Sequence, residues 1–207
     1  MPGYIRKNMK EVVKKTLISA IGILIMDFGV GILIRTELGV DPYNVFCTGV
    51  SYKLHISEGF SVMLVNAVVL TIVLFLDKTT IGIATVLETL ICQYPIDLAC
   101  SIFHTSDSLS MKIVLCLISI IVVAIGVCIM MINEYGLCVY DAFSYSISKN
   151  YHFNYSLVRY SCDTFYLLLG VLLGGRVGIG TILCYICFGV LIPWMKERML
   201  KLLKMNN

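Results

Sequence analysis

Six long apolar segments follow one another along the chain, and each is interrupted by only a few polar positions. A helix that crosses a lipid bilayer needs about 20 consecutive, mostly apolar residues. All six segments are close to that length, so the pattern predicts six membrane-spanning helices. Their approximate ranges are 16–34, 59–76, 81–103, 113–132, 155–174 and 177–195.

Two shorter apolar segments, 42–54 and 139–150, interrupt this series. Asp41–Pro42 is a strong helix-start signal, because Asp favours the N-cap and proline the first helical position. The second segment follows Cys138–Val139, so its start signal is weaker. About fifteen residues of helix rise only ~22 Å, less than the ~30 Å of a hydrocarbon core. Each short helix therefore crosses a thinned region or enters the membrane and returns.

The polar motif before each short helix occurs twice. ELGVDPYNVF (37–46) and EYGLCVYDAF (134–143) align at an offset of 97 residues, within a longer region of shared residues. IGIATVL (81–87) and VGIGTIL (177–183) align at an offset of 96, and Asn66 lies opposite Asp163. The shared polar residues and glycines predict two homologous halves, 16–104 and 112–196, each with four helical segments. In that longer region, the following residues are identical to the residue 97 positions later: Gly29, Val30, Ile32, Glu37, Gly39, Tyr43, Phe46, Ser51 and His55.

The route of the short helices determines the topology. If they cross, the chain has eight crossings and both halves have the same orientation. If they re-enter, it has six crossings and the halves are inverted. Eight crossings place twelve Lys and Arg residues inside and three outside, and six crossings place eleven inside and four outside. The positive-inside rule thus slightly favours eight crossings.

Composition supports a membrane protein. Of the 207 residues 58% are hydrophobic and only 14% are charged, whereas a soluble domain has about 25% charged residues. The sequence therefore predicts an all-α polytopic membrane protein. The basic segments 1–15 and 197–207 predict that both termini lie in the cytoplasm. They account for the net charge of +3 without a nucleic-acid partner.

The GVDPY motif at 39–43 and the later IGIATVLE resemble the YczE/YyaS/YitT family of bacterial integral membrane proteins. The resemblance covers about residues 16–195. It implies a membrane fold and a bacterial plasma-membrane location, and it supplies no catalytic or ligand-binding residues. The second half lacks Asp–Pro, so a role that needs this pair can exist only once.

Ionisable residues within membrane segments are candidate functional positions, because each costs roughly 2.5–3.5 kcal/mol at a helix centre. A polar path between the two halves is therefore predicted. Its candidates are Asp27, Asn66, Glu88, Asp97 and Asp163. Two structural interpretations compete with this one: Arg159 and Asp163 are four residues apart and can neutralise each other, and Asn66 can form an interhelical hydrogen bond.

The repeated motif itself has two interpretations. Its residues can cap a short helix and mark the membrane boundary, with Gly39 and Gly136 supplying tight turns. Alternatively, the helix starts form a ligand site in which backbone amides attract anions and carboxylates attract cations. The motif residues are Glu37, Gly39, Asp41, Pro42, Asn44, Glu134, Gly136 and Asp141.

Two classes of function follow. The chain lacks HExxH, GxSxG and Walker A motifs, and GGRVGIG (174–180) lacks the Lys–Ser/Thr of a phosphate loop, so no enzyme, metal or cofactor is predicted. The first class is a small secondary transporter or exporter of a small solute. The second is a membrane scaffold or regulator that docks a partner or anionic lipid through its basic tails. Both functions place the protein in the lipid bilayer, and both are compatible with a homo-oligomer.

Overall fold

The computed structural model describes residues 9–105 and 107–205, and this part of the chain is helical without β-strands. The predicted basic segments 1–15 and 197–207 are described only in part, since residues 1–8, 206 and 207 lie outside these ranges. The helices are α1 (Met9–Thr36), α2 (Pro42–Leu54), α3 (Glu58–Leu76), α4 (Ile83–Ile91), α5 (Gln93–Ile102), α6 (Leu109–Asn133), α7 (Val139–Tyr151), α8 (Tyr155–Leu172) and α9 (Ile179–Met205).

Within the described ranges, five stretches are long and apolar enough to cross a membrane, which agrees with the predicted membrane class. They are Met9–Thr36, Glu58–Leu76, Ile83–Ile102, Leu109–Asn133 and Ile179–Lys201. The sixth predicted span, 155–174, forms α8, but this helix is not among the five. Its first half carries Arg159 and Asp163, which lower its mean hydropathy.

The predicted span 81–103 consists of two helices. Only Cys92 separates α4 from α5, and its amide still donates to the Glu88 carbonyl at 3.0 Å while its carbonyl accepts from the Ile96 amide at 3.4 Å. Pro95 follows closely, and proline has no N–H to donate to the carbonyl four residues earlier, that of Ile91. The separation therefore has a local cause, and α4 and α5 together still have the length of one span.

Both predicted short helices are present and begin where the motifs place them. Asp41 is the N-cap of α2, and its Oδ1 accepts a hydrogen bond from the Asn44 amide at 3.3 Å. Cys138 precedes α7 and provides no side-chain cap. Each short helix ends at a histidine in the left-handed conformation, His55 (φ 53°) and His152 (φ 56°).

The central pair of helices, α1 and α6, is antiparallel. Asn133 near the end of α6 donates from Nδ2 to the Lys15 carbonyl at 2.7 Å. At the other end, Lys112 lies 3.1 Å from Glu37, which follows α1. We call the end with residues 9–19 the proximal end, and the end with residues 35–37 the distal end.

Side-chain contacts also give the directions of α3 and the α4–α5 pair. At the distal end, the Gly59 amide donates to Asp97 Oδ1 at 2.8 Å, and Arg35 Nε donates to the Cys100 carbonyl at 2.8 Å. At the proximal end, Asn150 Nδ2 donates to the Leu76 carbonyl at 2.7 Å. Hence α3 runs from distal to proximal, and α4–α5 run back.

Both short helices begin in the interior of the bundle and run outwards. The Tyr43 hydroxyl at the start of α2 contacts Asn66, about 12 Å along α3 from its distal start. The Tyr140 hydroxyl at the start of α7 contacts Asp163, about 12 Å along α8 from Tyr155. Thus α2 returns to the distal end and α7 to the proximal end.

These directions differ from the parallel halves expected for eight crossings. Glu37 of the first motif lies at the distal end, and Glu134 of the second motif follows Asn133 at the proximal end. The basic tails dominate both charge counts, so the counts discriminate poorly between six and eight crossings.

Each motif loop packs on a helix from the other half of the sequence. The Gly180 amide at the start of α9 donates to the Leu38 carbonyl at 2.7 Å, and the Ala84 amide at the start of α4 donates to the Tyr135 carbonyl at 3.3 Å. Gly39 (φ 101°) and Gly136 (φ 145°) allow these loops to turn, because other residues are strained there. The predicted tight turns are thus confirmed.

The contact between α1 and α6 depends on Gly126. A Cβ atom there would lie 2.5 Å from the Met26 nitrogen and 2.6 Å from the Gly22 carbonyl oxygen. At Gly22 the nearest atoms are 3.0 Å or more away and include the flexible side chain of Met130.

We predict that Gly126→Ala destabilises the protein by about 1–3 kcal/mol, because the added methyl group meets rigid backbone. Gly22→Ala on the same interface should have a smaller effect. Thermal unfolding of both purified variants in detergent measures the difference. Equal melting temperatures for the two variants would contradict this account of the interface.

An ion pair links the two halves at the proximal end. Lys149 Nζ lies 2.6 Å from Asp77 Oδ2, and the Thr79 amide and hydroxyl also donate to Asp77. The hydrogen bond from Lys149, together with those from Thr79, lowers the pKa of Asp77 to about 2. Ionisation of the Asp77 carboxyl group therefore stabilises the folded state.

We predict that Asp77→Asn lowers the melting temperature at neutral pH. A depressed folded-state pKa gives a stabilisation that is complete above the unfolded pKa of about 4 and is lost as the pH falls towards 2. The gap in melting temperature between wild type and Asp77→Asn should close over that interval. A gap that is unchanged from pH 6 to pH 2.5 would exclude the ion pair as its cause.

Candidate functional site

A cavity of about 420 Å³ lies where the two short helices begin. Its deep wall is formed by buried residues, including Asp27, Asn66 and Glu88. Its exposed lining residues include Tyr160 on α8 and Tyr185 on α9, which are 54% and 45% exposed. The exposed side of the cavity therefore lies between α8 and α9, and its buried side lies against α1, α3 and α4.

The start of α2 forms one wall of the cavity. Helix N-termini carry unpaired amides and a partial positive charge. The Asp41 carboxyl group satisfies one of these amides and faces the positive charge. Its Oδ1 accepts from the Asn44 amide, and its Oδ2 accepts from the Asn44 side chain at 2.7 Å. Asp41, Pro42 and Asn44 all line the cavity.

The start of α7 forms the opposite wall and is capped by another helix. Glu88 on α4 accepts a hydrogen bond from the Val139 amide through Oε2 at 2.9 Å. This contact takes the place of the N-cap side chain that Cys138 lacks. At the matching position in the second half, offset by 96 residues, Cys184 on α9 lines the cavity.

Two tyrosines join the short helices at the centre. Tyr43 donates to Asn66 Oδ1 at 2.5 Å and Tyr140 donates to Asp163 Oδ1 at 2.6 Å. Their ring centroids are 5.3 Å apart, and the Tyr166 ring lies 5.1 Å and 5.8 Å from them. Such separations are typical of favourable aromatic pairs. Asn66 thus makes the interhelical hydrogen bond that was one of its two interpretations.

Arg159 forms its ion pair with Asp141 rather than with Asp163. Its NH1 atom also donates to the Tyr155 hydroxyl at 2.9 Å, and the guanidinium lies 5.1 Å from the centre of the Tyr140 ring. The close ion pair of Arg159 among the described residues is therefore with Asp141, not with the Asp163 that the spacing along α8 suggested. The short helix α7 places Asp141 next to the guanidinium, while Asp163 accepts a hydrogen bond from the Tyr140 hydroxyl.

Asp27 stands apart from these partnered residues. It is 3% exposed and lines the cavity, and its Oδ2 atom has no hydrogen-bond partner among the residues that the structure describes. An isolated ionised carboxylate in an apolar interior is very unfavourable. Asp27 must therefore carry a proton or face a cation.

Carboxyl groups outnumber basic groups around the cavity. Five carboxyl residues and one arginine are among the lining residues that the structure describes. The carboxyl residues are Asp27, Asp41, Glu88, Asp141 and Asp163.

The remaining predicted site residues lie outside the cavity lining. Asp97, a predicted pathway residue, instead accepts from Ser57 Oγ at 2.7 Å and from the Gly59 amide, so it holds the start of α3. Glu37 forms a distal cluster with Lys112 and Arg176 (3.4 Å). The hydrogen bond from Lys112 lowers the pKa of Glu37.

The other motif residues also have structural roles. Gly39 and Gly136 form the turns described above. Glu134 ends α6 in the left-handed conformation (φ 52°), as Glu37 does after α1 (φ 57°). The motif thus divides into members that line the cavity, Asp41, Pro42, Asn44 and Asp141, and members that shape the loops.

Sequence reasoning did not propose the central tyrosines as site residues. Tyr43 and Tyr140 align at the 97-residue offset, so the repeat contained the signal. Tyr166 has no comparable signal, because an aromatic residue in an apolar helix is ordinary.

We predict that Glu88→Ala destabilises the protein by about 0.5–2 kcal/mol, the usual effect of losing a helix cap. Glu88→Gln should retain most of that stability, because its amide oxygen can still accept from the Val139 amide. Thermal unfolding and hydrogen exchange at residues 137–141 measure both effects. If exchange in this segment is the same in Glu88→Ala and wild type, Glu88 does not cap α7.

Comparison with known proteins gives two relatives that are themselves without an assigned function. The chain is 26% identical over 170 residues to an "Uncharacterized protein" of Haemophilus influenzae, covering 82% of this chain and 78% of the relative. It is 23% identical over 178 residues to "Uncharacterized protein YyaS" of Bacillus subtilis, covering 84% and 88%.

No solved structure matches the chain. The relative YyaS carries one of the names of the family that the motifs resemble, which confirms that resemblance. The family of unknown function DUF6198 matches residues 13–197. The chain therefore belongs to the DUF6198 family.

Proposed function

We propose that the protein is a small secondary transporter of a small solute in the bacterial cell membrane. The observation that carries this proposal is the cavity between the starts of α2 and α7, with the unpartnered Asp27 in its wall. An apolar bundle gains stability by filling its interior, so a space of about 420 Å³ lined by carboxyl groups needs a reason. Binding a solute supplies one.

Two inverted homologous halves fit this function. Many transporters place their site between inverted repeats, at helices interrupted near the middle of the membrane. Here the antiparallel pairing of α1 and α6 and the matched contacts of Tyr43 and Tyr140 support such a repeat. Non-helical backbone, such as the two motif loops, is tolerated at membrane depth where it is buried in protein or lines a cavity.

Six crossings with two re-entrant helices are the topology that the helix directions support. The proximal side then carries eleven Lys and Arg residues. The distal side carries Arg35, Lys53, Lys112 and Arg176. The positive-inside rule assigns the proximal side, and with it both termini, to the cytoplasm.

A scaffold or regulatory protein is the alternative. It would use the two halves for packing and its basic ends for docking. The transport measurement below separates the two functions.

The topology can be tested by cysteine labelling in a variant whose nine native cysteines are replaced. We predict that a membrane-impermeant maleimide reaches a Glu37→Cys variant from outside intact cells. It should reach a Glu134→Cys variant only after the cells are opened. Labelling of both variants from the same side would contradict inverted halves.

Transport can be tested with the full chain in proteoliposomes, using a panel of metabolites and cationic and anionic dyes under an imposed pH gradient. We predict gradient-dependent movement of at least one panel member. Glu88→Gln and Asp27→Asn should each reduce its rate by tenfold or more, because both remove a carboxyl group from the cavity.

Asp107→Asn is the matched control, since Asp107 lies in an exposed loop away from the cavity. Its rate should equal that of wild type, and all variants should insert to the same level. If Glu88→Gln and Asp27→Asn both transport at the wild-type rate, the cavity is not the transport site. If no panel member moves with wild type, the scaffold function is favoured.

A further inference from the structure

Resting on the proposed transport function, we infer that the solute is a monovalent organic cation, which Asp27 binds in exchange for a proton. The cavity's geometry supports this in three steps. The relevant features are the free carboxyl group, the groups that surround it, and the side chains of the remaining lining.

Four of the five cavity carboxyl groups already have protein partners. Asp41 caps α2 and Glu88 caps α7. Asp141 pairs with Arg159, and Asp163 accepts from Tyr140. Asp27 is left with a buried oxygen that accepts nothing. A ligand that satisfies this oxygen must be a cation or a hydrogen-bond donor.

The described groups around Asp27 provide no cation for it. The elements that surround the cavity contribute Asp41 and Tyr43 (α2), Glu88 (α4), Cys138 (before α7), Tyr140 and Asp141 (α7), Tyr155, Arg159, Tyr160 and Asp163 (α8), and Cys184 and Tyr185 (α9). From α6 only the apolar Val123, Val127 and Met131 line the cavity. Arg159, the basic member of this set, is engaged by Asp141.

The lining favours an organic cation over an inorganic one. Aromatic side chains attract organic cations through their ring faces. Tyr155, Tyr160 and Tyr185 line the cavity, whereas the Tyr140 ring already lies against the Arg159 guanidinium. Apolar groups such as Val30 and Val62 complete the wall. A hard inorganic cation requires a shell of oxygen ligands at short distance. The volume of about 420 Å³ lies in the range of small-molecule sites.

The exchange step conserves charge. In the empty cavity, the Asp27 carboxyl group holds a proton and is neutral. When the cation enters, the O–H bond breaks, one proton leaves for solvent, and the carboxylate pairs with the cation. The net charge of the cavity is the same in both states, so an unpaired buried carboxylate need not be formed.

The test uses purified full-length protein in detergent and tetraphenylphosphonium as the probe. Calorimetry measures its binding, and a pH indicator in weak buffer measures proton release. We expect about one proton released per cation bound. Affinity should rise about tenfold per pH unit over the range in which Asp27 is protonated, because cation and proton compete for one group. Tetraphenylborate, of similar shape and opposite charge, should bind at least tenfold more weakly.

Two variants assign the effect to Asp27. Asp27→Asn should bind tetraphenylphosphonium at least tenfold more weakly and release no proton. Asp27→Glu should restore proton release, and Asp107→Asn should match wild type in both measurements. Gel filtration and thermal unfolding confirm that each variant is folded.

The inference is overturned if wild type binds the cation without releasing a proton, if the borate binds as well as the phosphonium, or if Asp27→Asn leaves binding unchanged. Because binding is measured without a membrane, it is independent of transport. A protein that binds the cation with proton release but moves nothing in proteoliposomes would overturn the proposed function and support the site.

Discussion

Two helices begin inside this apolar bundle, and their unpaired amide groups must be satisfied where water is scarce. Much of the interior follows from that constraint. Asp41 caps α2 from the adjacent position in sequence, whereas α7 receives Glu88 from α4. Each carboxyl group also faces the positive end of a helix dipole, which stabilises negative charge there. Both of these acids are therefore part of the architecture of the bundle.

Apart from the two caps, most polar groups at the centre of the bundle are paired with each other. Arg159 and Asp141 neutralise each other, and the two central tyrosines donate to Asn66 and Asp163. What remains is one buried carboxyl group on α1. For the proposed solute site this means that selectivity rests on Asp27, because the other polar groups of the cavity are largely satisfied by the protein.

The sequence was informative where local rules apply. Composition and segment length indicated helices in a membrane, and Asp41–Pro42 marked the exact start of α2. Local signals could not predict that Glu88 accepts from the Val139 amide, because a cap supplied by a distant helix leaves no pattern in the sequence near Glu88 or Val139. They were equally insufficient for Arg159, since spacing along α8 says nothing about the approach of α7. A charge count dominated by the tails could not predict that α1 and α6 are antiparallel, whereas the contact of Asn133 with Lys15 shows it directly.

The crossed packing of the motif loops has a consequence for biosynthesis. The second loop meets α4, which the ribosome has already made when residues 134–138 emerge. The first loop meets Gly180 on α9, which is translated only after the eight α-helices that precede it in the described chain. The nascent chain must therefore hold the first motif loop and α2 in an incomplete environment until α9 has been made. A truncation before residue 179 would leave this loop permanently uncovered, so loss of α9 should impair the beginning of the protein as much as its end.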